Sequence, residues 1–351
     1  MPIPCYAPLD EALDRLSGYG PTLANGNFNH APMVAEALCA LGQPEAVTPW
    51  IDRYQPRMLP RAPAGDPIRP DEWRDALGQR DRFAAWSRFF AEALREAAWR
   101  EVLDLWAGRL APGVAAAATH GAIRVGHAAR SLGAGETPPR LAEFADALAS
   151  WAASYLELPM PAGPVYRALP PRQALGRVPL MPEEQRRRPG NITAALARLG
   201  ELPEFAPAVG LPDLDGAIDA RLAQLTELFA RIFLANAHDI PTTIAFVHGV
   251  TSLAALGHIA PHVGDTAARS LLRYGWQTGC GLYACYGGVT AFAEDIAPAG
   301  EDPDSLIERA LANGDEHVIK FTEACLARHA LAPSPAYPAA VAQVLTLIGR
   351  R

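Results

Sequence analysis

Lysine is nearly missing from this chain. Of 31 basic residues among 351, only Lys320 is a lysine, and all the others are arginine. A guanidinium stays charged in essentially any protein site, whereas a lysine amine loses its proton when buried and can then act as a base, a nucleophile or an acceptor of carbon dioxide. Keeping one lysine, three residues after His317, singles out GDEHVIKFTEAC (Gly314–Cys325) as a stretch where that difference has a use. A leftover surface lysine is the plainer reading, and composition alone does not choose between them.

Other absences narrow the classes. The five cysteines, Cys5, Cys39, Cys280, Cys285 and Cys325, form no CxxC pair, and their odd number fits a reducing compartment better than a disulfide framework. No basic stripe is present and the net charge is −7, which excludes a nucleic-acid surface. The start, MPIPCYAPLDEALDRL, lacks a basic region followed by an apolar one, so no signal peptide is expected. Gly113–Thr119 reads as the most apolar run and is far too short to cross a bilayer. A cytoplasmic protein without membrane contact is expected. No GxGxxG follows a predicted strand, so NADPH has no binding motif here even if an external reductant is used. GxSxG, HExxH and ExxH are absent as well.

What is present is apolar and helical. Half the residues are hydrophobic and a fifth are charged, enough for a large core. Leu9, Ala12, Leu13 and Leu16 keep the three-and-four spacing of a buried helix face, and similar patterns recur to Pro338–Ile348. Asn29 is placed as an N-cap with Gly42 as a stop. Pro112 is taken to open a helix over Gly113–Leu132, rich in alanine and so able to pack closely. No hairpin signal and no fixed-period repeat appears. The fold class expected is all-α: one domain over 1–351, with helical halves 1–160 and 191–351 and a Pro- and Arg-rich connection over 161–190. Trp73, Trp86, Phe89, Phe90, Trp99 and Trp106 recur at helical spacing and read as core rather than as a substrate box.

A lone histidine among apolar neighbours is more often a hydrogen-bonded core residue than a ligand, so the argument rests on the set of nine. His120 and His127 lie seven apart with Arg124 between, on one helix face. His248 sits mid-helix in IAFVHGVTSLAAL, His317 and Lys320 share a face, and His30 opens a helix after Asn-Gly-Asn-Phe-Asn. Four separate helices each carry a histidine that could point inward, the way helical proteins build metal sites. Imidazoles suit zinc, copper, iron or nickel alike.

Asn29-His30 with ALGQPEAVTPWIDRYQPR, then HGAIRVGHAAR, VHGVTS and DEHVIK, in that order, resembles the questin oxidase-like family over about residues 9–330. The fungal members open an aromatic ring of an anthraquinone-type polyketide, and ring-cleaving relatives use a non-haem iron held by histidines with a lysine nearby. The resemblance implies iron (Fe2+) held by His30, His120, His248 and His317, with Lys320, neutral or carboxylated, as fifth ligand or neighbour. Asp315 completes the Asp-x-His-x-x-Lys match. The family's His-Pro-Leu-Ile-His stretch meets this chain at His120 and Arg124, so its second histidine is missing, while His127 lies one turn on. Arg124 and His127 are expected to orient a phenolate or an oxygen species. The expected partners are dioxygen and a small aromatic such as a hydroquinone. A helical binding protein without turnover, and a hydrolase or isomerase using a metal as Lewis acid, are the alternatives.

Overall fold

Helical periodicity runs through most of the chain, and the computed structural model is all-α accordingly. It describes residues 3–161, 168–186, 191–288, 290–297 and 300–349. The first half holds α1 (Leu9–Leu16), α2 (Ala31–Ala40), α3 (Val47–Tyr54), α4 (Phe83–Glu96), α5 (Trp99–Leu110), α6 (His120–Ala134) and α7 (Pro138–Ala153). Four short helices follow: α8 (Pro171–Leu175), α9 (Glu183–Arg186), α10 (Ile192–Ala197) and α11 (Phe205–Val209). The second half has α12 (Ile218–Asn236), α13 (Ile240–Ile259), α14 (Asp265–Tyr286), α15 (Pro303–Asn313), α16 (Glu316–Leu331) and α17 (Ala336–Leu347).

The centre is α13. Its sequence is apolar on every side, so it can be satisfied only by being surrounded, and α6, α12, α14 and α16 pack around it. Asp239 and Thr242 close a reciprocal capping box at its start. By length and composition Ile240–His262 would suffice to cross a bilayer, but 78% of that window is buried inside the fold. It, rather than Gly113–Thr119, is the chain's long apolar stretch.

Two glycines let α6 approach both neighbours. A Cβ added at Gly121 would lie 2.7 Å from the Trp151 Cα on α7, and one at Gly126 would lie 2.7 Å from the Ala255 carbonyl oxygen on α13. The expected close packing of this Ala-rich helix is therefore met. Its expected start is not: the chain runs through a short 3-10 turn and a left-handed bend, and the α-helix begins at His120 rather than Gly113.

A small sheet appears that no alternation announced. Strand β1 (Tyr19–Leu23) pairs antiparallel with β2 (Met58–Pro60), Tyr19 facing Pro60 and Leu23 facing Met58 with an irregular register between. The partners are too far apart in sequence to form a hairpin. The Pro- and Arg-rich connection holds α8 and α9 rather than being wholly irregular, and residues 162–167 and 187–190 of it lie outside the described residues. Trp86, Phe90 and Trp106 pack edge-on or stacked with ring centres 4.8–5.6 Å apart, fully inside the protein. Those aromatics are core, as expected.

Candidate metal centre

Each of four histidines is held by local structure before it meets the others. His30 precedes α2, where the Asn29 side chain accepts from the Ala31 N–H (3.0 Å) and donates to the Gly20 carbonyl on β1 (3.0 Å). The helix starts at Ala31 with His30 at its N-cap position, so Asn29, expected as the cap, lies one residue before it. The His30 N–H donates to the Tyr54 hydroxyl on α3 (3.0 Å). His120 follows Ala117, Ala118 and Thr119, whose φ values of 47°, 57° and 73° put three successive non-glycine residues in the left-handed region. That bend costs on the order of 1 kcal/mol per residue. It turns the Ala117 carbonyl back to accept from His120 Nδ1 at 2.5 Å. His248, mid-way along α13, donates from Nδ1 to the Ile244 carbonyl at 2.7 Å. His317 lies in the first turn of α16, where Asp315 Oδ1 faces its N–H at 2.8 Å and its Nδ1 at 3.2 Å.

The four rings meet. Ring centres are 4.5 Å apart for His30 and His120, 4.7 Å for His30 and His317, 4.6 Å for His120 and His248, and 5.5 Å for His248 and His317. Ligand atoms of His30, His120 and His317 all fall within 4.8 Å of one another. Nε2 of His120 and Nε2 of His248 are 3.2 Å apart. Lys320, one turn beyond His317, is 2% exposed. Burial pushes its amine down to about 7, against the carboxylates of Glu316 and Asp315, which favour the charged form. Burial also holds His30, His120 and His248 well below the usual imidazole range, reinforced by Lys320 and by the other rings. His30 and His120 stand at the starts of their helices, and the positive end of a helix dipole likewise favours a neutral ring.

This arrangement fits a metal ion. A backbone carbonyl can only accept, so Nδ1 of His120 and of His248 each carries the proton, and each neutral ring presents an Nε2 lone pair. Two lone pairs facing one another at 3.2 Å repel unless a cation lies between them. Imidazole nitrogens about 2.1 Å from one ion are about 3.0 Å apart at a right angle and about 3.4 Å at the tetrahedral angle. His30 adds a buried Nδ1 without a hydrogen-bond partner. Fixing the far nitrogen of a ligand histidine by a carbonyl or carboxylate is the usual outer arrangement of metal sites.

Other residues singled out in the sequence go elsewhere. Arg124 does not face the rings: it forks onto Glu143 of α7 (2.6 and 2.7 Å) and reaches Ser150 at 3.0 Å. His127 points to Glu36 of α2, 2.6 Å from its Oε2. Three and four residues round a helix share a broad face, but the α6 face is wide enough for its neighbours to split it. Asp315 orients His317 and caps α16. Two neighbours escaped the sequence reading. Phe28 stacks on His120 with ring centres 4.7 Å apart and 19° between planes, and Tyr54 braces the His30 backbone. A cleft of about 530 Å³ is lined by Trp50, Tyr54, Arg57, Gly314 and Glu316, the last next to His317 in sequence. The His317 side chain is 13% exposed. No protein-family model matches this chain, and a search of curated proteins finds no match either.

Proposed function

We propose that this chain is a non-haem iron oxygenase of the questin oxidase-like type, acting on an electron-rich aromatic of the hydroxyanthraquinone or hydroquinone class and cleaving its ring oxidatively. One observation carries the reading: four histidines from four helices converge, and the chain's only lysine is buried beside them. Iron(II), when bound, supplies the one-electron chemistry that dioxygen needs to react with a closed-shell aromatic. His30, His120, His248 and His317 hold it, and Asp315 fixes the His317 ring. Lys320, with its proton affinity lowered to near neutrality, rests as a neutral amine that serves as general base for a phenolic proton, or is carboxylated. Either resting state leaves no ammonium beside the ion; when the amine takes the proton, the negative charge of the phenolate formed balances it. Phe28 stacks on His120 and holds its ring, and the Trp50–Tyr54 cleft, which includes Glu316 beside His317, is the approach we assign to a planar substrate.

The test is metal analysis of the purified protein together with oxygen uptake on a panel of hydroxyanthraquinones. Wild type should hold about one iron per chain. His248→Ala should lose most of it, and Lys320→Arg, which forces a permanent cation into the site, should lose metal and turnover together. A metal-free wild type, or full occupancy in both variants, sinks the reading. Bound zinc with hydrolysis or isomerisation and no oxygen uptake would favour the Lewis-acid alternative, since imidazoles serve zinc equally.

A further inference from the structure

Six residues beyond His30 on α2 lies Glu36, and six beyond His317 on α16 lies Glu323; on α6, His127 and Arg130 follow His120, and on α13, His258 follows His248. These residues form a second polar layer. Arg130 donates to Glu36 from Nε (2.8 Å) and Nη2 (2.5 Å), and pairs with Glu323 through Nη1. The same Nη1 lies 3.1 Å from His258 Nε2, while His127 Nδ1 and the Tyr6 hydroxyl complete Glu36 at 2.6 and 2.8 Å. Between the two layers sits an apolar plug of Met33, Ile123 and Ala255, against which Phe28 packs. Every helix that carries a ligand histidine therefore also contributes to the Arg130 layer, about 9 Å or more further along at 1.5 Å per residue.

We infer that Arg130 is a positioning residue for the histidine centre, one that sets the relative rotation and depth of α2, α6, α13 and α16. The inference rests on the metal reading above. Stability alone gives no reason for the layer, because a buried ion-pair group can often be replaced by well-packed apolar residues at no loss. A planar guanidinium fork adds direction: it donates to Glu36 and Glu323 together in only one arrangement of their helices. The intervening plug, being close-packed, transmits that arrangement to the rings.

Cobalt(II) is the probe, since its visible spectrum reports ligand geometry without requiring turnover. Arg130→Met should stay helical by circular dichroism, bind cobalt at least about tenfold more weakly, as loss of an outer positioning contact does, and show a shifted ligand-field spectrum. Arg130→Lys, which keeps the charge but not the fork, should recover part of the affinity. Leu271→Ala, a core truncation on α14, a helix that carries no residue of either polar layer, should lower stability and leave the spectrum as in wild type. If Arg130→Met fails to fold, Glu323→Gln removes half of the fork and should shift the spectrum in the same direction. An unchanged spectrum and affinity in a folded Arg130 or Glu323 variant overturns the inference, as does an equal shift in Leu271→Ala. A wild type that takes up no cobalt overturns the metal reading and the inference with it.

Discussion

Ala117, Ala118 and Thr119 hold the left-handed backbone that aims the His120 ring, and they do so without a glycine. In a helix interior, Ala→Gly costs about 1 kcal/mol. At Ala118, where φ is 57°, the relief of steric strain offsets that entropy. Ala118→Gly should thus be neutral or stabilising by up to about 1 kcal/mol, read as the urea midpoint at constant slope. At this scale the sequence was half legible. Lys320 stood out as the single lysine, and His30, His120, His248 and His317, expected to point inward from four helices, do converge. The left-handed bend left no trace, since alanine and threonine are not residues that announce a positive φ. Arg124 and His127 were misread because helical spacing fixes a face but not which neighbour covers it, and Glu143 and Glu36 lie on other helices.

At the scale of elements, α6 is the one squeezed from both sides. Gly126 meets the α13 backbone at Ala255, which cannot swing away as a side-chain tip would. Gly126→Val should therefore push the two helices apart and cost about 1–3 kcal/mol, and by displacing His120 from His248 it should also weaken metal binding. Thermal unfolding and metal content of the same preparation check both. Helix limits were legible where punctuation was strong. The boundary between α15 and α16 is of that kind: Gly314 ends α15 with φ of 78° and Asp315 caps the next turn. The start of α6 was missed because Pro112 resembles a helix opener, although here it sits in a 3-10 turn. Strands β1 and β2 were missed because five and three residues give too little alternation to read.

For the whole molecule, the buried charges set an acid limit. Glu36 is held well below the ordinary carboxylate value, although burial alone would raise it, because Arg130 and His127 face it. His258 is held well below 6.5 by burial, then by Arg130 and Arg328. In both cases the unfolded chain binds the proton more readily, so stability is fully present at higher pH and falls as pH drops. The loss begins near pH 6.5 through His258 together with His30, His120 and His248, and steepens below about 4.5 through Glu36. Denaturant midpoints measured from pH 8 to 4 should follow that order, and His258→Gln should flatten the slope between about pH 7 and 5. Removing Glu36 as Glu36→Ala leaves Arg130 half-paired in the interior and should cost about 3–5 kcal/mol. None of these pairings was readable in advance, because Arg130 and Glu36 are 94 residues apart and Arg130 and Glu323 are 193 apart. Helical period says that a residue is inside, not whom it meets.

The ordering of the histidines along the chain has a consequence for how the protein is made. His30 leaves the ribosome before His317, with α13 emerging between them. Until α14 and α16 follow, a helix apolar on all sides lacks two of its four covering partners. A nascent chain halted before residue 316 should expose α13, bind chaperone or aggregate, and hold no metal. Loading of the centre then reports that synthesis has passed α16.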